Sequence, residues 1–512
     1  MSGRVLIRGV NWVGDSVMTI PALRALRGEL KGSHFSLLVK PQVSAIFEKD
    51  PAIDEIILYK DEYKGLRGKF RIAKVLRERE FTLSVLFQNA FDAALITALA
   101  GVPKRVGYSR DLRGVLLTNP VGFDDKAKRL HHIDYYIYML RRAGLIKKEP
   151  PPEDKIPWIF LDLEERLRAR NTLKGLKRPI LGINPGAAYG SAKRWGARKF
   201  SEVAVNFMAD FDGSVVVFGK EREEAEVAGI IQSACECRTE HRVLSLAGKT
   251  TLRELISLIG ECDIVLSNDS GPMHIAYALR KPLVAIFGST EPSLTGPPPL
   301  GSKVIKHNIH CSPCFERECK EGTLACMNGI ATEEVSSAIR DISPINKGVF
   351  FDRDGTLIKD VDYLRRWEDY EPLEGLDSLN RLKEKGFKLI GITNQSGIAR
   401  GIIDEGFVKG VNELIMKEYG IDAFYYCPHH PDEKCPCRKP QPEMALRAAL
   451  EHRIEPRKSF VLGDKDIDMI LAKAIGARGV LVLTGKERES QNADYIAKDL
   501  REAIDWIITQ DR

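Results

Sequence analysis

Short apolar runs rich in β-branched residues alternate with helical patterns almost from one end of the chain to the other. A strand buried on both faces reads as an unbroken apolar run, and strands joined through helices form parallel sheets. The expected strands are VLIRG, FSLLV, IILY and TLSVLF in the first third, ILGINPG, SVVVFG, IVLSND and LVAIFGS between residues 180 and 289, and GVFFDRDG, KLIGITN, FVLGD and VLVLTG in the last third. The pattern predicts an α/β protein built on parallel sheets.

Two proline-bearing connections divide this pattern. The chain has 512 residues, which is more than one hydrophobic core accommodates. Pro150, Pro151 and Pro152 close the first third, and the segment Ser-Pro-Ile-Asn-Lys at 343–347 precedes a later strand. We therefore expect three α/β units, at residues 1–160, 161–343 and 344–512.

Composition places the chain among ordinary globular proteins. Apolar residues make up 44% and charged residues 29%, and a net charge of +6 is too mild to indicate nucleic-acid binding. The start, MSGRVLIRGVNW, lacks the features of a signal peptide, and no stretch approaches the ~20 consecutive apolar residues of a membrane span. We expect a cytoplasmic protein.

The densest basic stretch runs from Lys64 to Arg79 and leaves two interpretations open. Leu66, Phe70, Ala73 and Leu76 recur at helical spacing within it. One interpretation is a solvated helix with an apolar underside. The other is a patch that meets an acidic or membrane-anchored substrate.

The run GVFFDRDGT predicts a phosphoryl-transfer site at a strand end. It places Asp352 directly after a strand and Asp354 two residues later, where open α/β sheets hold their ligands. The first carboxylate of such a pair attacks phosphorus, while the second protonates the leaving oxygen and later activates water. Two anions that face a phosphate need a cation, and carboxylate oxygens suit Mg²⁺.

Three further pieces follow at strand ends or in loops. In KLIGITNQSG a second strand ends at Thr393, whose hydroxyl and the following backbone amides can hold phosphoryl oxygens, and CRKP supplies the cations Arg438 and Lys439. FVLGD ends at Asp464. We expect Asp352, Asp354 and Asp464 to hold the magnesium ion.

A second metal is predicted from Cys427, His429, Cys435 and Cys437. These residues provide four ligands within eleven residues, which is a good tetrahedral zinc set. A closed set leaves no open position, so the zinc would be structural and would pin the loop that presents Arg438 and Lys439. A loop with incidental thiols is the alternative.

Residues 346–490 resemble the haloacid dehalogenase superfamily, and more narrowly the D-glycero-D-manno-heptose-1,7-bisphosphate 7-phosphatases. DRDGTL, TNQSGIARG, CPHHP and CRKPQPEM carry the resemblance. It implies that Asp352 is the nucleophile, that Asp354 is the general acid and base, and that Thr393 and Lys439 stabilise the phosphoryl group. It also implies substrate contacts by Arg438, Asp360, Tyr363, Asn394, Gln395, Ser396 and Lys465. The histidinol-phosphate phosphatases look similar, with the same type of zinc loop.

The first two thirds carry residues suited to transfer from a nucleotide sugar. Asp15 lies in the glycine turn after the first strand, where it could deprotonate an acceptor hydroxyl, although a Gly-Asp pair is also a common helix cap. Lys193 lies in a glycine-bearing loop that suits a diphosphate. Asp269, Ser270, Gly271 and His274 follow a strand, and amides at a helix N-terminus can neutralise a departing diphosphate without a metal.

This region resembles the lipopolysaccharide heptosyltransferases of the heptosyltransferase II type, which have a GT-B fold of two Rossmann-like domains. VGDSVMTIPAL, NPGAAYGSAKRW, LAGKTTLREL, SNDSGPMH and IFGST carry the resemblance over residues 1–340. It implies an ADP-heptose donor, a lipid-anchored inner-core acceptor, Asp15 as base, and Lys193 with the 269–274 segment as donor site. Some relatives bind donor phosphate with threonines where this chain has Ala187 and Ala188, so backbone amides or Ser191 would have to substitute.

Four more cysteines, Cys311, Cys314, Cys319 and Cys326, form a cluster without an assignment. A metal or iron–sulfur site and free thiols in a surface loop are both compatible with this spacing.

Together these features predict a bifunctional enzyme of lipopolysaccharide heptose metabolism. One end would remove the 7-phosphate from heptose 1,7-bisphosphate, with the β anomer favoured by association, and the other would transfer heptose from ADP-L-glycero-β-D-manno-heptose. The two steps are not adjacent, so the fusion does not imply channelling. A non-catalytic sugar-binding front end and a histidinol-phosphate-type phosphatase are the alternatives. Peripheral contact with the inner face of the inner membrane would follow from a lipid-anchored acceptor.

Overall fold

The fold was obtained as a computed structural model, which describes residues 3–234 and 242–511. These residues form three sheets of six strands each, and every neighbouring pair of strands is parallel. The chain divides into two compact units, of which the first ends at Ile342 and the second begins at Ser343. The α/β class predicted from the apolar runs is confirmed.

The first sheet of the first unit has the strand order β3-β2-β1-β4-β5-β6. Its strands are β1 (Arg4–Arg8), β2 (His34–Val39), β3 (Glu55–Leu58), β4 (Leu83–Leu86), β5 (Lys104–Tyr108) and β6 (Asn119–Val121). Its helices are α1 (Val13–Glu29), α2 (Pro41–Ser44), α3 (Gly65–Arg77), α4 (Phe91–Leu99), α5 (Asp125–Arg129) and α6 (His132–Arg142). Helices cover both faces, which is why the central strands are continuous apolar runs.

The second sheet has the order β12-β11-β10-β7-β8-β9. Its strands are β7 (Ile180–Asn184), β8 (Ser214–Val217), β9 (Val243–Ser245), β10 (Ile264–Asn268), β11 (Leu283–Phe287) and β12 (Ser302–Lys306). Its helices are α7 (Leu163–Thr172), α8 (Ala197–Phe211), α9 (Glu221–Ala234), α10 (Leu252–Glu261), α11 (Gly271–Ala278), α12 (Pro292–Thr295), α13 (Ala325–Asn328) and α14 (Thr332–Ile342). A continuous apolar core joins the two sheets of this unit, since side chains of α1 and α11 pack together.

The third sheet, in the second unit, has the order β15-β14-β13-β16-β17-β18. Its strands are β13 (Lys347–Phe351), β14 (Phe387–Asn394), β15 (Ala423–Cys427), β16 (Phe460–Gly463), β17 (Arg478–Val482) and β18 (Tyr495–Ala497). Its helices are α15 (Leu379–Glu384), α16 (Glu405–Tyr419), α17 (Glu443–Glu451), α18 (Asp466–Ile475) and α19 (Leu500–Gln510). The central strands β13, β14 and β16 end at one edge, where the predicted phosphatase motifs begin.

The basic helix α3 departs from the prediction of a uniform apolar underside. Ala73 and Leu76 are buried in the core, but Leu66 and Phe70 are exposed to solvent. The first turns of α3 pack at Gly68 against the main chain of Tyr63. Only the later turns of the helix cover the sheet, so only their apolar residues are buried.

Candidate active sites

Three buried carboxylates meet at the carboxyl edge of the third sheet. Asp352 follows β13 and Asp464 follows β16, and these two strands are neighbours. Asp468 lies in the first turn of α18, four residues after Asp464. Oxygen atoms of the three side chains all lie within 4.8 Å of one another. Asp468 Oδ2 is buried without a hydrogen-bond partner among the described residues, as expected of an oxygen that faces a cation, so the set fits Mg²⁺.

Lys439 neutralises part of this negative charge. Its Nζ lies 2.9 Å from Asp352 Oδ1 and 2.7 Å from Asp468 Oδ1, and all three side chains are buried. Burial lowers the pKa of Lys439, but the two carboxylates more than offset this effect and raise it above the usual value. Burial also raises the pKa of Asp468 to about 7, with Lys439 opposing and Asp352 adding to the shift. The cluster therefore carries excess negative charge that a divalent cation would balance.

The carboxylate of Asp354 lies outside this cluster, although it was predicted as a magnesium ligand. Gln395 Nε2 donates a hydrogen bond to Asp354 Oδ2 at 2.8 Å, and Thr393 Oγ1 lies 3.4 Å from the same oxygen. The buried Arg353 donates to Asp354 Oδ1 at 3.1 Å. Asp354 is thus held beside the cluster, in a position that suits proton transfer better than metal coordination by its side chain.

The predicted phosphate-binding residues come together around β14 and the loop before α17. Asn394 holds Lys439 in place, because its side chain accepts from Lys439 N at 3.0 Å and donates to Lys439 O at 3.2 Å. Nη1 of Arg438 is buried and has no hydrogen-bond partner among the described residues, which suits an anion-binding role. Ser396 is half-buried in the turn that follows Gln395.

A second group of predicted residues lines the approach to the carboxylates. Lys465 Nζ lies 3.3 Å from both Asp360 Oδ2 and Asp464 Oδ1. Burial lowers the pKa of Lys465, but the carboxylates of Asp352, Asp464 and Asp360 raise it well above its usual value. Tyr363 is partly exposed beyond Asp360. Lys486, which the sequence did not point to, also lies 3.3 Å from Asp360 Oδ2.

The four predicted zinc ligands converge at the end of β15. Cys427 Sγ lies 3.4 Å from Cys435 Sγ, which in turn lies 3.4 Å from Cys437 Sγ. His429 Nδ1 lies 3.2 Å from Cys437 Sγ. These separations exceed a disulfide length of about 2.05 Å and approach the roughly 3.8 Å edge of a tetrahedron around zinc. The ligand loop leads directly into Arg438 and Lys439.

In the first unit, the first turns of α1 and α11 approach each other closely. A Cβ atom on Gly14 would lie 2.6 Å from the ring of His274, and one on Gly271 would lie 2.9 Å from Val13. These two glycines therefore permit the contact that places Asp15, from the first sheet, near the donor-side residues of the second. Nδ1 of His132 lies 3.6 Å from Asp15 Oδ1.

Asp15 borders a cavity of about 590 Å³ on the side of the first sheet. Its polar lining includes Asn89, Arg110, Lys128 and His132, beside aromatic side chains such as Tyr135. This volume is within the range of about 300–1,000 Å³ that small-molecule sites occupy. The cavity can therefore hold a polar acceptor next to the candidate base.

The predicted donor-site residues form a connected group at the carboxyl edge of the second sheet. Lys193 Nζ lies 2.5 Å from Asp269 Oδ2, which also accepts from Thr290 Oγ1 at 2.6 Å. Asn184 donates to Ser270 Oγ at 3.0 Å. Ser270 is the residue before α11, whose first residue is Gly271. Asp269 thus holds Lys193 at the carboxyl edge of the second sheet.

His274 is a buried residue of α11 rather than an exposed donor contact. Its Nδ1 lies 3.1 Å from the hydroxyl of Tyr277. Burial lowers the pKa of His274 to about 4, although the negative charges of Asp269 and Asp15 act in the opposite direction. The ring is therefore neutral at ordinary pH.

In the donor loop, Ala187 is buried whereas Ala188 and Ser191 are exposed. The Tyr189 ring packs against Lys193, whose Nζ lies 4.8 Å from the ring centroid. Ser191 therefore remains available to a ligand, and Tyr189 helps to fix the predicted phosphate-binding lysine.

Comparison with known proteins supports the family assignment of both parts of the chain. Residues 69–325 match the model of glycosyltransferase family 9 (heptosyltransferase), and residues 436–503 match that of the HAD-hydrolase-like family. Lipooligosaccharide heptosyltransferase 2 of Campylobacter jejuni subsp. jejuni serotype O:6 is 30% identical over 343 residues, which cover 66% of this chain and 99% of that protein. The D-glycero-beta-D-manno-heptose-1,7-bisphosphate 7-phosphatase of Helicobacter pylori J99 is 40% identical over 169 residues, which cover 32% of this chain and 97% of that protein.

The chain is a glycosyltransferase family 9 protein fused to a phosphatase of the haloacid dehalogenase superfamily. The structure of the Escherichia coli ADP-heptose LPS heptosyltransferase II matches the heptosyltransferase part with a TM-score of 0.57 at 25% identity, and covers 66% of this chain and 98% of that chain. The GT-B prediction for the first two thirds and the phosphatase prediction for the remainder are both confirmed.

Several residues of the two sites were missed from the sequence. In the phosphatase, Asp468 follows the predicted ligand Asp464 by four residues in GDKDID, and this closeness in sequence could have indicated it. In the heptosyltransferase, His132 and Thr290 meet their partners only through the fold, so no local spacing pointed to them.

The four cysteines at 311–326 of the heptosyltransferase part form no disulfide. Among the described residues, only the zinc set and the three aspartates of the phosphatase bring three or more side-chain ligands within 4.8 Å of one another. Cys319 Sγ accepts the backbone N–H of Leu324 at 3.4 Å, and such backbone bonds lower its pKa. The two interpretations of this cluster therefore stay open.

No helix in the described part of the chain is both long and apolar enough to cross a bilayer.

Proposed function

We propose that the chain catalyses two reactions of lipopolysaccharide heptose metabolism. The heptosyltransferase transfers heptose from ADP-L-glycero-β-D-manno-heptose to the inner core, and the phosphatase converts D-glycero-β-D-manno-heptose 1,7-bisphosphate to the 1-phosphate. One observation carries the proposal. At one edge of the third sheet, Asp352 contacts Lys439, and the carboxylate of Asp354 is held beside them. The Campylobacter relative, a heptosyltransferase, and the Helicobacter relative, a heptose-bisphosphate phosphatase, support heptose compounds as the substrates.

In the phosphatase, Asp352 attacks the 7-phosphoryl group and forms an aspartyl phosphate as the bond to the sugar oxygen breaks. Asp354 gives its proton to that oxygen, and then takes a proton from the water that hydrolyses the aspartyl phosphate. Lys439 and Thr393 hold the phosphoryl oxygens, while Arg438 and Lys465 contact the substrate. Asp360, Tyr363, Asn394, Gln395 and Ser396 complete the substrate side.

Mg²⁺ would be held by Asp352, Asp464 and Asp468, and would neutralise charge between the nucleophile and the phosphate when bound. Both carboxylate oxygens of Asp354 already accept hydrogen bonds, so Asp354 would have to coordinate Mg²⁺ through another atom.

Zn²⁺ would be held by Cys427, His429, Cys435 and Cys437 as a structural ion. It would fix the loop that presents Arg438 and Lys439.

In the heptosyltransferase, Asp15 removes the proton from the acceptor hydroxyl as that oxygen attacks the donor sugar and the bond to ADP breaks. Lys193 and the backbone amides at the start of α11 stabilise the departing diphosphate. Residues 1–160 would bind the acceptor in the cavity beside Asp15, and residues 161–343 would bind the donor. Asp269, Ser270, Gly271 and His274 shape the donor side.

The acceptor is proposed to be the lipid-anchored inner core, so transfer would take place in the cytoplasm at the inner face of the inner membrane. A non-catalytic front end is the alternative, and it predicts donor binding without transfer.

Competing-substrate and transfer assays test the two activities. With Mg²⁺, the wild-type chain should release phosphate from both anomers of the heptose bisphosphate, and faster from the β anomer. It should release phosphate from histidinol phosphate only slowly. It should also release ADP from ADP-heptose only when a core acceptor is present. A preference for histidinol phosphate would overturn the phosphatase assignment, and tight ADP-heptose binding without transfer would overturn the transferase assignment.

A further inference from the structure

One surface of the first sheet exposes large apolar side chains on three successive elements. Leu66 and Phe70 belong to α3, Phe91 begins α4, and Leu112 and Val115 belong to the segment around the short 3₁₀ helix Arg113–Leu116. Their exposed fractions are 69%, 56%, 43%, 89% and 87%, in that order. We call these five residues the docking surface. Single exposed apolar residues are ordinary, but a group on adjoining elements is the usual mark of an interaction site.

The topology places these residues at one edge of the sheet. The three elements follow the carboxyl ends of β3, β4 and β5, which are parallel and therefore end on the same side. α4 packs against both α3 and the 3₁₀ helix, so the elements adjoin one another. The same edge carries Asp15 after β1, and Arg110 of the cavity lies two residues before Leu112. The docking surface therefore borders the acceptor cavity.

Positive charge flanks the apolar residues of α3. Between Lys64 and Arg77 the chain contains six basic residues and no acidic residue. Lys64 pairs with Asp61, but Arg67, Lys69 and Lys74 have no ion-pair partner among the described residues. At 100° per residue, Arg67 and Lys74 lie beside Leu66 and Phe70 on the exposed side of the helix. This arrangement lets basic side chains reach phosphate groups while the apolar ones enter a lipid layer.

The backbone at Leu112 adds an independent observation. Its φ is +60°, in the left-handed region that disfavours residues with a Cβ atom, and its side chain gains almost no burial in return. A strained and exposed leucine is better explained by a contact outside the chain than by folding.

We propose that the docking surface binds the anionic surface of a lipid bilayer. The apolar residues enter the boundary between headgroups and acyl chains, and Arg67, Lys69 and Lys74 contact lipid phosphates. A soluble anion would use only the charges, whereas the five apolar residues require an apolar phase. The purpose of the contact rests on the proposed transferase function, because a lipid-anchored acceptor is met at a bilayer and the cavity opens beside this surface.

Vesicle co-sedimentation of the full chain tests the proposal without any sugar substrate. Wild type should bind phosphatidylcholine vesicles that contain phosphatidylglycerol, and should bind pure phosphatidylcholine vesicles much more weakly. The double variant Leu66→Ser/Phe70→Ser should lower the partition coefficient by at least about tenfold. Arg67→Gln/Lys74→Gln should lower it by about fivefold for each charge removed, and the effect should shrink at high salt. Leu167→Ser, which changes a 47% exposed leucine of α7, is the matched control and should bind like wild type.

Absence of binding to anionic vesicles, or equal binding by all these variants, would overturn the proposal. Binding only to vesicles that contain the core acceptor would also overturn it, because the acceptor rather than the bilayer would then be the ligand. Circular dichroism should show unchanged folding of each variant. Heptosyl transfer to a delipidated acceptor tests the transferase separately, and the Leu66→Ser/Phe70→Ser variant should retain that activity. If the wild-type chain itself showed no transfer, the proposed transferase function would be wrong, while the vesicle result would still stand.

Discussion

The two catalytic sites of the chain are built in contrasting ways. In the phosphatase, the candidate nucleophile Asp352 and the cation Lys439 are buried at the edge of a single sheet. In the heptosyltransferase, the candidate base Asp15 is one-third exposed, and its partners come from two sheets. The first site is preorganised by burial, whereas the second borders an open cavity, and its Lys193 is paired with Asp269.

The largest expected effect separates the two sites. Asp352→Asn should lower phosphate release by about 10⁴-fold or more, because it removes the nucleophile. Heptosyl transfer should be unchanged, and Asp377→Asn, at an exposed position of the same unit, should affect neither activity. Phosphate release that survives in Asp352→Asn would refute the assignment of the nucleophile.

The reciprocal change is Asp15→Asn. Loss of a general base should lower heptosyl transfer by about 10²–10⁴-fold, with ADP-heptose affinity nearly unchanged and phosphate release unaffected. Asp341→Asn, which alters an exposed residue of α14, is the control. Transfer at the wild-type rate in Asp15→Asn would mean that another group accepts the proton.

Lys439 and Lys193 should differ in their contribution to stability. Lys439→Met leaves Asp352 and Asp468 without their buried counter-charge, so the free energy of unfolding of the phosphatase should fall by about 3–5 kcal/mol in metal-free buffer. Lys193→Met should cost only about 1–3 kcal/mol, because Asp269 keeps its bond to Thr290. Scanning calorimetry of the full chain measures both, and equal losses would contradict the contrast drawn here.

The buried His274 predicts a pH dependence that belongs to the heptosyltransferase. Its pKa is about 4 in the folded chain, below the usual value, so the unfolded state binds a proton first as the pH falls. The stability of this part should therefore be complete above about pH 6.5 and fall towards pH 4 by up to roughly 1.4 kcal/mol per pH unit. Denaturant unfolding across this range should show the same slope in wild type and in the exposed control His34→Gln, and a smaller slope in His274→Gln, where the buried His131 still contributes.

The smallest expected effect concerns the zinc loop. Cys437→Ser should abolish stoichiometric zinc, measured by atomic absorption, and lower phosphate release by about tenfold, since the loop that carries Arg438 and Lys439 loses its anchor. Heptosyl transfer should not change. Cys262→Ser, at a buried thiol of the first unit that lies outside both metal sets, is the control for thiol loss. Full phosphatase activity without zinc would mean that the four residues hold the loop unaided.

The sequence predicted the central strands better than the sheet edges. Each apolar run named as a strand is one, for example ILGIN as β7 and IVLSN as β10, because both faces of these strands are covered. The strands that were missed lie at or next to the edges of the described sheets. β12, SKVIK, has two exposed residues and no continuous apolar run, so its pairing depends on β11 rather than on its own pattern.

The same limit applies to the sites. Asp352, Thr393 and Asp464 could be located because each lies at the carboxyl end of a strand with a recognisable pattern. The orientation of the Asp354 carboxylate could not be predicted, since it is set by Gln395 and by the buried Arg353. Likewise, whether Leu66 and Phe70 are buried depends on where α3 meets the sheet, which periodicity alone does not specify.

The central claim, that one chain serves heptose metabolism with two separate active sites, is tested most directly by phosphorus NMR. Full-length enzyme would be incubated with D-glycero-β-D-manno-heptose 1,7-bisphosphate and Mg²⁺, and the position of the remaining phosphate would be read from the spectrum. The account predicts the 1-phosphate and inorganic phosphate as the products of wild type and of Asp15→Asn, and unchanged substrate with Asp352→Asn. Formation of the 7-phosphate, absence of turnover in wild type, or loss of turnover in Asp15→Asn would contradict it.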